Sequence, residues 1–203
     1  MTNPNIFTTT PIFDIHTHNL KSGKAGYRIV NLNFEQAEQM LAENNEEFYS
    51  VGFHPCLLEN FSESNFEKLR LFANDNRVKA IGECGLDKNS SFDFKTQISA
   101  FEQQIILSEA IKKPLVIHCV GKTNELLEIK NTMKPAQLWI VHGFRGKPQL
   151  AEQFLKSGCV LSFGEYFNTE SVRITPLEKL FVETDESNKS IEEIYSNVIK
   201  VKN

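Results

Sequence analysis

The sequence predicts an α/β fold, a distorted and trimmed (β/α)8 barrel. Three observations carry that prediction. Eight short apolar runs alternate with amphipathic stretches almost to the C-terminus, the rhythm of strand–helix units built around a parallel sheet. Several runs are rich in Val, Ile, Leu and Phe without clean polar alternation, as strands covered on both faces should be. Histidines and acids recur at the C-terminal ends of those runs, the level at which side chains meet at the mouth of a closed barrel.

The strand candidates, in order, are IFDIHTH (12–18), YRIVNL (27–32), FYSVGFH (48–54), VKAIGE (78–83), PLVIHCV (114–120), LWIVHGF (138–144), CVLSFGE (159–165) and LFVETDE (180–186). The first predicted helix is NFEQAEQMLAENN, with Asn33 as N-cap and Glu35 and Glu38 near its positive end. SESNFEKLRLFAND places Phe66, Leu69 and Phe72 on one stripe, and TQISAFEQQIILSEAIKK runs up to Pro114, which stops it. KTNELLEIKNTM, PQLAEQFLKSG with Gly158 as its cap, and KSIEEIYSNVIKVK complete the set. Two units are short. NLKSGKAG leaves no helix between the first two strands, and between Gly164 and Leu180 lies only a short segment with Pro176. With no internal repeat, low-complexity tract or linker, residues 1–203 are expected to form one domain.

Hydrophobic residues at 40% and charged residues at 24% are ordinary for a packed globular chain, and 16 Phe against 1 Trp read as core filling. A net charge of −4 with a pI of 5.8 weighs against a protein that coats duplex nucleic acid by bulk electrostatics. Bound cations are absent from that sum, so a local positive site stays open. No stretch reads as a signal peptide or a bilayer span; a cytoplasmic protein without membrane contact or an obligate protein partner is expected. Cys56, Cys84, Cys119 and Cys159 contain no CxxC and suit neither a zinc ribbon nor a disulfide framework. Buried free thiols are expected.

Strand alternation puts Asp14, His16 and His18 on one face of the first strand. Glu83 ends VKAIGE, His118 ends PLVIH, His142 ends LWIVH and Asp185 ends LFVETD. A single histidine at a strand end ordinarily reads as a hydrogen-bonded core residue. Four imidazoles and two carboxylates at one level of five strands read instead as donors for one or two divalent cations. His54, in GFHP, is expected as a hydrogen-bonded structural residue near the mouth. Asp14, one step deeper than His16, suits an acceptor that orients an imidazole, or a buried polar partner. Glu183 stands in the same relation to Asp185, and Asp87, closing AIGECGLD, is expected in the same supporting role.

The segments FDIHTHNL, VGFHP, AIGECGLD, PLVIHC, VHGFRG, LSFG and FVETD occur in the order and context typical of the TatD-type metal-dependent hydrolases, often described as deoxyribonucleases. The sequence resembles that family over residues 13–185. The resemblance implies a distorted TIM barrel and a site for two divalent ions, zinc, magnesium or manganese. His16 and His18 would bind the first with Asp185, Glu83 would bridge, and His118 and His142 would complete the second. Asp185 and Glu83 are then the expected catalytic carboxylates, with Asp185 taking a proton from the attacking water. The implied substrate is DNA or a short oligonucleotide end. The chain also departs from the pattern: Val120 stands where an Arg is usual, Cys56 where a His is, the Pro after ETD is missing, and the first helix is absent. The ligands are intact, so these changes bear on substrate. Val120 removes a phosphate contact that Arg145, Lys122 or Lys147 in mouth-side loops could replace, and Arg145 is the expected substrate-binding residue. A binuclear hydrolase of a small amide, lactone or ester, and a non-catalytic metal-binding barrel, remain open as alternatives.

Overall fold

The structure, a computed structural model, describes residues 12–21 and 23–202. The opening segment of the expected domain, Ser22 in the first loop, and Asn203 lie outside the described residues. Strands β1 (Asp14–Thr17), β2 (Arg28–Leu32), β3 (Phe48–Val51), β4 (Val78–Asp87), β5 (Leu115–Val120), β6 (Trp139–Val141), β7 (Val160–Phe163) and β8 (Leu180–Val182) form one parallel sheet in chain order. It closes just beyond the ends of β8 and β1. The Asp185 amide donates to the His16 carbonyl at 3.0 Å, and the His18 amide donates to the Asp185 carbonyl at 3.1 Å. The backbone seam is therefore made by residues whose side chains were expected to bind metal.

All eight predicted strands are present. Most stop short of the predicted C-terminal residue, because beyond the last ladder bond the chain turns outward into a loop. β4 does the opposite and continues past Glu83 to Asp87. Its pairing with β5 shifts register between Ile81 and Cys84, around Gly82 (φ +145°), and resumes by Gly85 (φ +137°), which pairs with His118; both glycines adopt conformations that L side chains rarely take.

The helices are α1 (Phe34–Ala42), α2 (Glu63–Ala73), α3 (Phe94–Ile111), α4 (Thr123–Met133), α5 (Pro148–Lys156), α6 (Thr169–Ile174) and α7 (Ile191–Lys202). Asn33 caps α1 as expected and forms a reciprocal capping box with Gln36. Sequence reasoning missed α6. Its six residues are too few to display a 3.6-residue period, although Asn168 caps it and Pro176 follows closely. Among the described residues no helix intervenes between β1 and β2. There the buried Arg28 holds the loop: its guanidinium donates to the carbonyls of Asn19 (2.8 Å) and Leu20 (3.1 Å) and forks onto Glu47.

The main core lies between the sheet and the helices, built around Trp139, Tyr49, Phe101, Phe154 and Phe163. A smaller cluster of Ile15, Ile29, Ile140, Val160 and Phe181 fills the barrel interior below the mouth. The cysteines are all free; Cys84 and Cys159 are buried as expected, whereas Cys56 and Cys119 are only half-buried. Cys56 lies in the loop after β3, where covering is incomplete. Among the described residues no helix is long and apolar enough to cross a membrane.

Candidate metal centre

The site is centred on the Glu83 carboxylate, whose two oxygens face different imidazoles. Oε2 lies 2.9 Å from His18 Nε2 and 3.4 Å from His16 Nε2. Asp185 Oδ1 stands on the same side, 3.8 Å from His16 and 3.7 Å from His18. Oε1 lies 2.6 Å from His142 Nε2, 3.4 Å from His118 Nδ1 and 3.7 Å from His54 Nε2. The structure thus brings together His16, His18, His118, His142 and Asp185, at or just beyond the C-terminal parts of β1, β5, β6 and β8, around Glu83 from the middle of β4.

The donor set fits divalent cations. The His16 ring is completely buried, with neither nitrogen hydrogen-bonded. Leaving such a group unsatisfied costs about 1–3 kcal/mol, and an ion on its lone pair would remove that cost. Four compact groups of three residues have donor atoms within 4.8 Å of one another: His16, His18 and Asp185; His16, Glu83 and His142; His54, Glu83 and His118; and His142, Glu183 and Asp185.

Hydrogen bonds on the far ring nitrogens decide which nitrogen is free to face a cation. His118 Nε2 lies 2.8 Å from Asp87 Oδ2, and His142 Nδ1 lies 3.3 Å from Glu183 Oε1. A carboxylate accepts, so those nitrogens carry protons, and His118 Nδ1 and His142 Nε2 are the ring nitrogens turned toward Glu83, where a bound cation would take their lone pairs. His54 is the reverse. Its Nδ1 accepts from the Cys56 amide at 3.1 Å, and burial, reinforced by nearby His118 and His142, pushes its pKa down to about 4. The ring is neutral with its proton on Nε2, so it turns an N–H donor into the site. Sequence reasoning placed His54 near the mouth but not inside the cluster; the amide two residues on is what aims it.

Asp14 takes the second of its two expected roles, that of a buried polar partner. The pairing of β1 with β2 slips between Asp14 and Thr17, which breaks the two-residue alternation that put Asp14 and His16 on one face. Ile15 joins the interior cluster instead. The Asp14 carboxylate accepts from the Thr184 amide (3.0 Å), the Thr184 hydroxyl (2.6 Å) and the His16 amide (3.3 Å), and orients no imidazole ring. Burial pushes its pKa up to about 7. Glu183 and Asp87 do hold rings, as above.

The electrostatics follow from burial against pairing. Burial alone would raise the Glu83 carboxyl, but His142, His16 and the hydrogen bonds around it hold it well below the ordinary range. Burial would lower His142 and His18; Glu83, with Glu183 beside His142, outweighs it and raises both. Burial raises Asp185 above the ordinary carboxylate value. Asp185 also takes a left-handed φ of +53°, which Asp tolerates better than most residues, and the two seam hydrogen bonds to β1 hold it there.

Three supporting residues were not singled out from sequence. Asn31 accepts the Glu83 amide at 2.9 Å. Gln97 accepts the Asp87 amide at 2.9 Å, and Gln104 grips Phe53 by its amide (2.7 Å) and carbonyl (3.1 Å), beside His54. A usable signal existed: Gln97, Gln104 and Ser108 share the buried face of α3, and buried amides there demand backbone partners.

Two cavities open beside Glu83. One of about 560 Å³ is lined by His18, Asn31, Phe34, His54 and Leu57. The other, about 460 Å³, is lined by His118, Val120, Thr123, His142, Arg145 and Asp185. Val120 and Arg145 therefore share a wall. Lys122 is occupied by Glu125 at 2.8 Å and the Phe94 ring, so of the three mouth-side cations considered, Arg145 is the one lining this cavity.

A parallel eight-stranded barrel carrying a carboxylate-centred histidine cluster at its C-terminal mouth is a candidate divalent-metal centre on a TIM-type scaffold. The sequence profile of the TatD-related DNase family matches residues 13–193, and the chain belongs to that family. The human 3'-5' RNA nuclease TATDN2 is 34% identical over 148 residues, 67% of this chain and 19% of that protein. The uncharacterized metal-dependent hydrolase YabD of Bacillus subtilis is 29% identical over 174 residues, 78% of this chain and 68% of its own length. The crystal structure of the TatD homologue YjjV from Escherichia coli superposes with a TM-score of 0.72 at 21% identity, covering 86% of this chain and 78% of that one. This chain therefore spans about a fifth of the human relative and about two thirds of the Bacillus subtilis one.

Proposed function

We infer that this chain, acting as one barrel domain over residues 1–203, is a divalent-metal-dependent phosphodiesterase that removes nucleotides from the ends of DNA or RNA strands. The observation that carries the reading is the division of the Glu83 carboxylate, with His16, His18 and Asp185 on the Oε2 side and His118 and His142 on the Oε1 side. His16, His18 and Asp185 would hold one ion and His118 and His142 another, with Glu83 between them. Bound there, divalent ions supply Lewis acidity toward a phosphoryl oxygen and an acidified water. Support from relatives comes from the family description and from the nuclease and hydrolase names above.

The chain's own residues divide the remaining work. Asp185 lines the cavity beside His118 and His142, and its raised pKa suits a group that accepts and releases a proton. His54 offers an N–H donor to a phosphate oxygen, and Arg145 offers a guanidinium at the cavity wall. Asp87 and Glu183 hold His118 and His142 by their far ring nitrogens, so that His118 Nδ1 and His142 Nε2 stay turned inward toward the ions they would hold.

The test uses 5′-labelled single-stranded DNA and RNA, with protein stripped by chelator and reloaded with Mg²⁺, Mn²⁺ or Zn²⁺. Wild type should shorten the label-bearing strand by single nucleotides, and His118→Ala should slow this by roughly 10²–10³-fold. Wild type no faster than His118→Ala would end the phosphodiesterase reading, and cleavage of a lactone or amide panel instead would install the small-molecule alternative. Asp87→Asn, which leaves His118 Nε2 without its carboxylate, should weaken metal binding by about 10–100-fold in a competition titration with a chromogenic chelator.

A further inference from the structure

We propose that Tyr166, backed by Arg145, is a stacking platform for the nucleobase at the end of the bound strand. The assignment rests on the nucleotide reading above and adds the part of the substrate that the metal centre does not recognise. Arg145 comes from the loop after β6 and Tyr166 from the loop after β7; the guanidinium lies over the phenol ring, 5.2 Å from its centroid. Both side chains are exposed, and both line a cavity of about 260 Å³ that also contains Asp185. Arg145 lines the neighbouring 460 Å³ cavity as well. The pair therefore stands on the rim beside Asp185.

The loops that display the pair are fixed on either side of it. Before Arg145, the Gly143 amide donates to Glu183 at 2.6 Å and Phe144 is buried with its amide on the Ser162 carbonyl. After it, the Gly146 carbonyl accepts from Ser171 at 2.7 Å. Before Tyr166, Glu165 accepts from the Ser187 hydroxyl at 2.6 Å; after it, Phe167 packs on the core. Each loop thus turns one side chain outward while its neighbours are tied down.

Tyr166 is 65% exposed, which is unfavourable for a large aromatic ring unless something covers it. Arg145 occupies one face and, among the described residues, makes no ion pair that would draw it away. With 65% of the residue exposed, ring surface beyond Arg145 is left to solvent. A base stacks on such a ring regardless of its identity, and the guanidinium can add a contact to the adjoining phosphate. The predicted ligand is a nucleotide end with an unstacked base, and the site should show little preference among the four bases.

The full chain loaded with Mn²⁺ is titrated with thymidine 5′-monophosphate and with 2-deoxyribose 5-phosphate, which isolates the base without requiring turnover. Wild type should bind the nucleotide about tenfold more tightly than the sugar phosphate. Tyr166→Ala should lose that difference, and Tyr166→Phe should restore it. With labelled oligonucleotides, Tyr166→Ala should raise KM by a similar factor, and an abasic 3′ residue should produce the same penalty in wild type with no further effect in the variant. A wild type indifferent to the base, or a Tyr166→Ala protein that keeps the preference, overturns the proposal whether or not the protein cleaves nucleic acid. A Tyr166-dependent base preference in a protein that cleaves no oligonucleotide sustains the stacking site and rejects the nuclease reading.

Discussion

For the proposed phosphodiesterase, Glu83→Gln should abolish metal-dependent hydrolysis, lowering kcat/KM by roughly 10³-fold or more, while leaving the barrel folded. The reason is local. Both Glu83 oxygens face ring nitrogens within 3.4 Å, His16 and His18 on one side and His118 and His142 on the other. Gln has nearly the same volume but carries no charge and only one acceptor, so whichever way the amide turns, one group of histidines faces an NH₂ group where Glu83 offers an anionic oxygen to a cation. The variant also removes the negative charge that raises His142 and His18, leaving buried imidazoles with no buried anion between them. The check is metal stoichiometry by elemental analysis together with turnover of labelled oligonucleotide. A Glu83→Gln protein that binds the wild-type amount of metal and turns over within tenfold of wild type would remove Glu83 from the centre of the site.

Gly85→Ala should be the most damaging single methyl group in the chain. Gly85 pairs with His118 in the β4–β5 ladder and has φ +137°, and a Cβ built there would sit 2.1 Å from the His118 carbonyl oxygen. Neither the dihedral nor a backbone atom can yield cheaply, so β4 and β5 would have to separate where Glu83, Asp87 and His118 are positioned. The expected loss is about 4 kcal/mol or more, a fall in Tm of roughly 10 °C for a chain of this size. Gly158→Ala is the control: its φ is +80° but nothing lies within 4 Å of the added atom, so only the conformational cost of about 1 kcal/mol should appear. Equal melting of the two variants would mean that the strands do not approach as closely at Gly85 as described.

Much of the fold was legible because a parallel barrel repeats one device. Apolar runs such as LVIHCV and LWIVH mark strands by composition alone, and a ring of parallel strands delivers their C-terminal residues to one rim whatever the details of packing. That is why His16, His18, Glu83, His118, His142 and Asp185 could be gathered from scattered positions. α6 escaped because six residues carry no period, and the length of β4 escaped because its bulge depends on two glycine conformations that composition does not display.

What the sequence determined by itself is therefore the order of the strands, the level of the six donors and the family to which the chain belongs. Tertiary structure alone decided how those donors are used. A register slip in β1 turned Asp14 to Thr184, the Cys56 amide made His54 a proton donor, and Asp87 and Glu183 chose which ring nitrogens of His118 and His142 face Glu83. Two separate loops brought Arg145 over Tyr166. Strand periodicity is a property of consecutive residues and can be read along the chain; ring tautomers, register slips and contacts between loops depend on partners distant in sequence, and exist only once the barrel has closed.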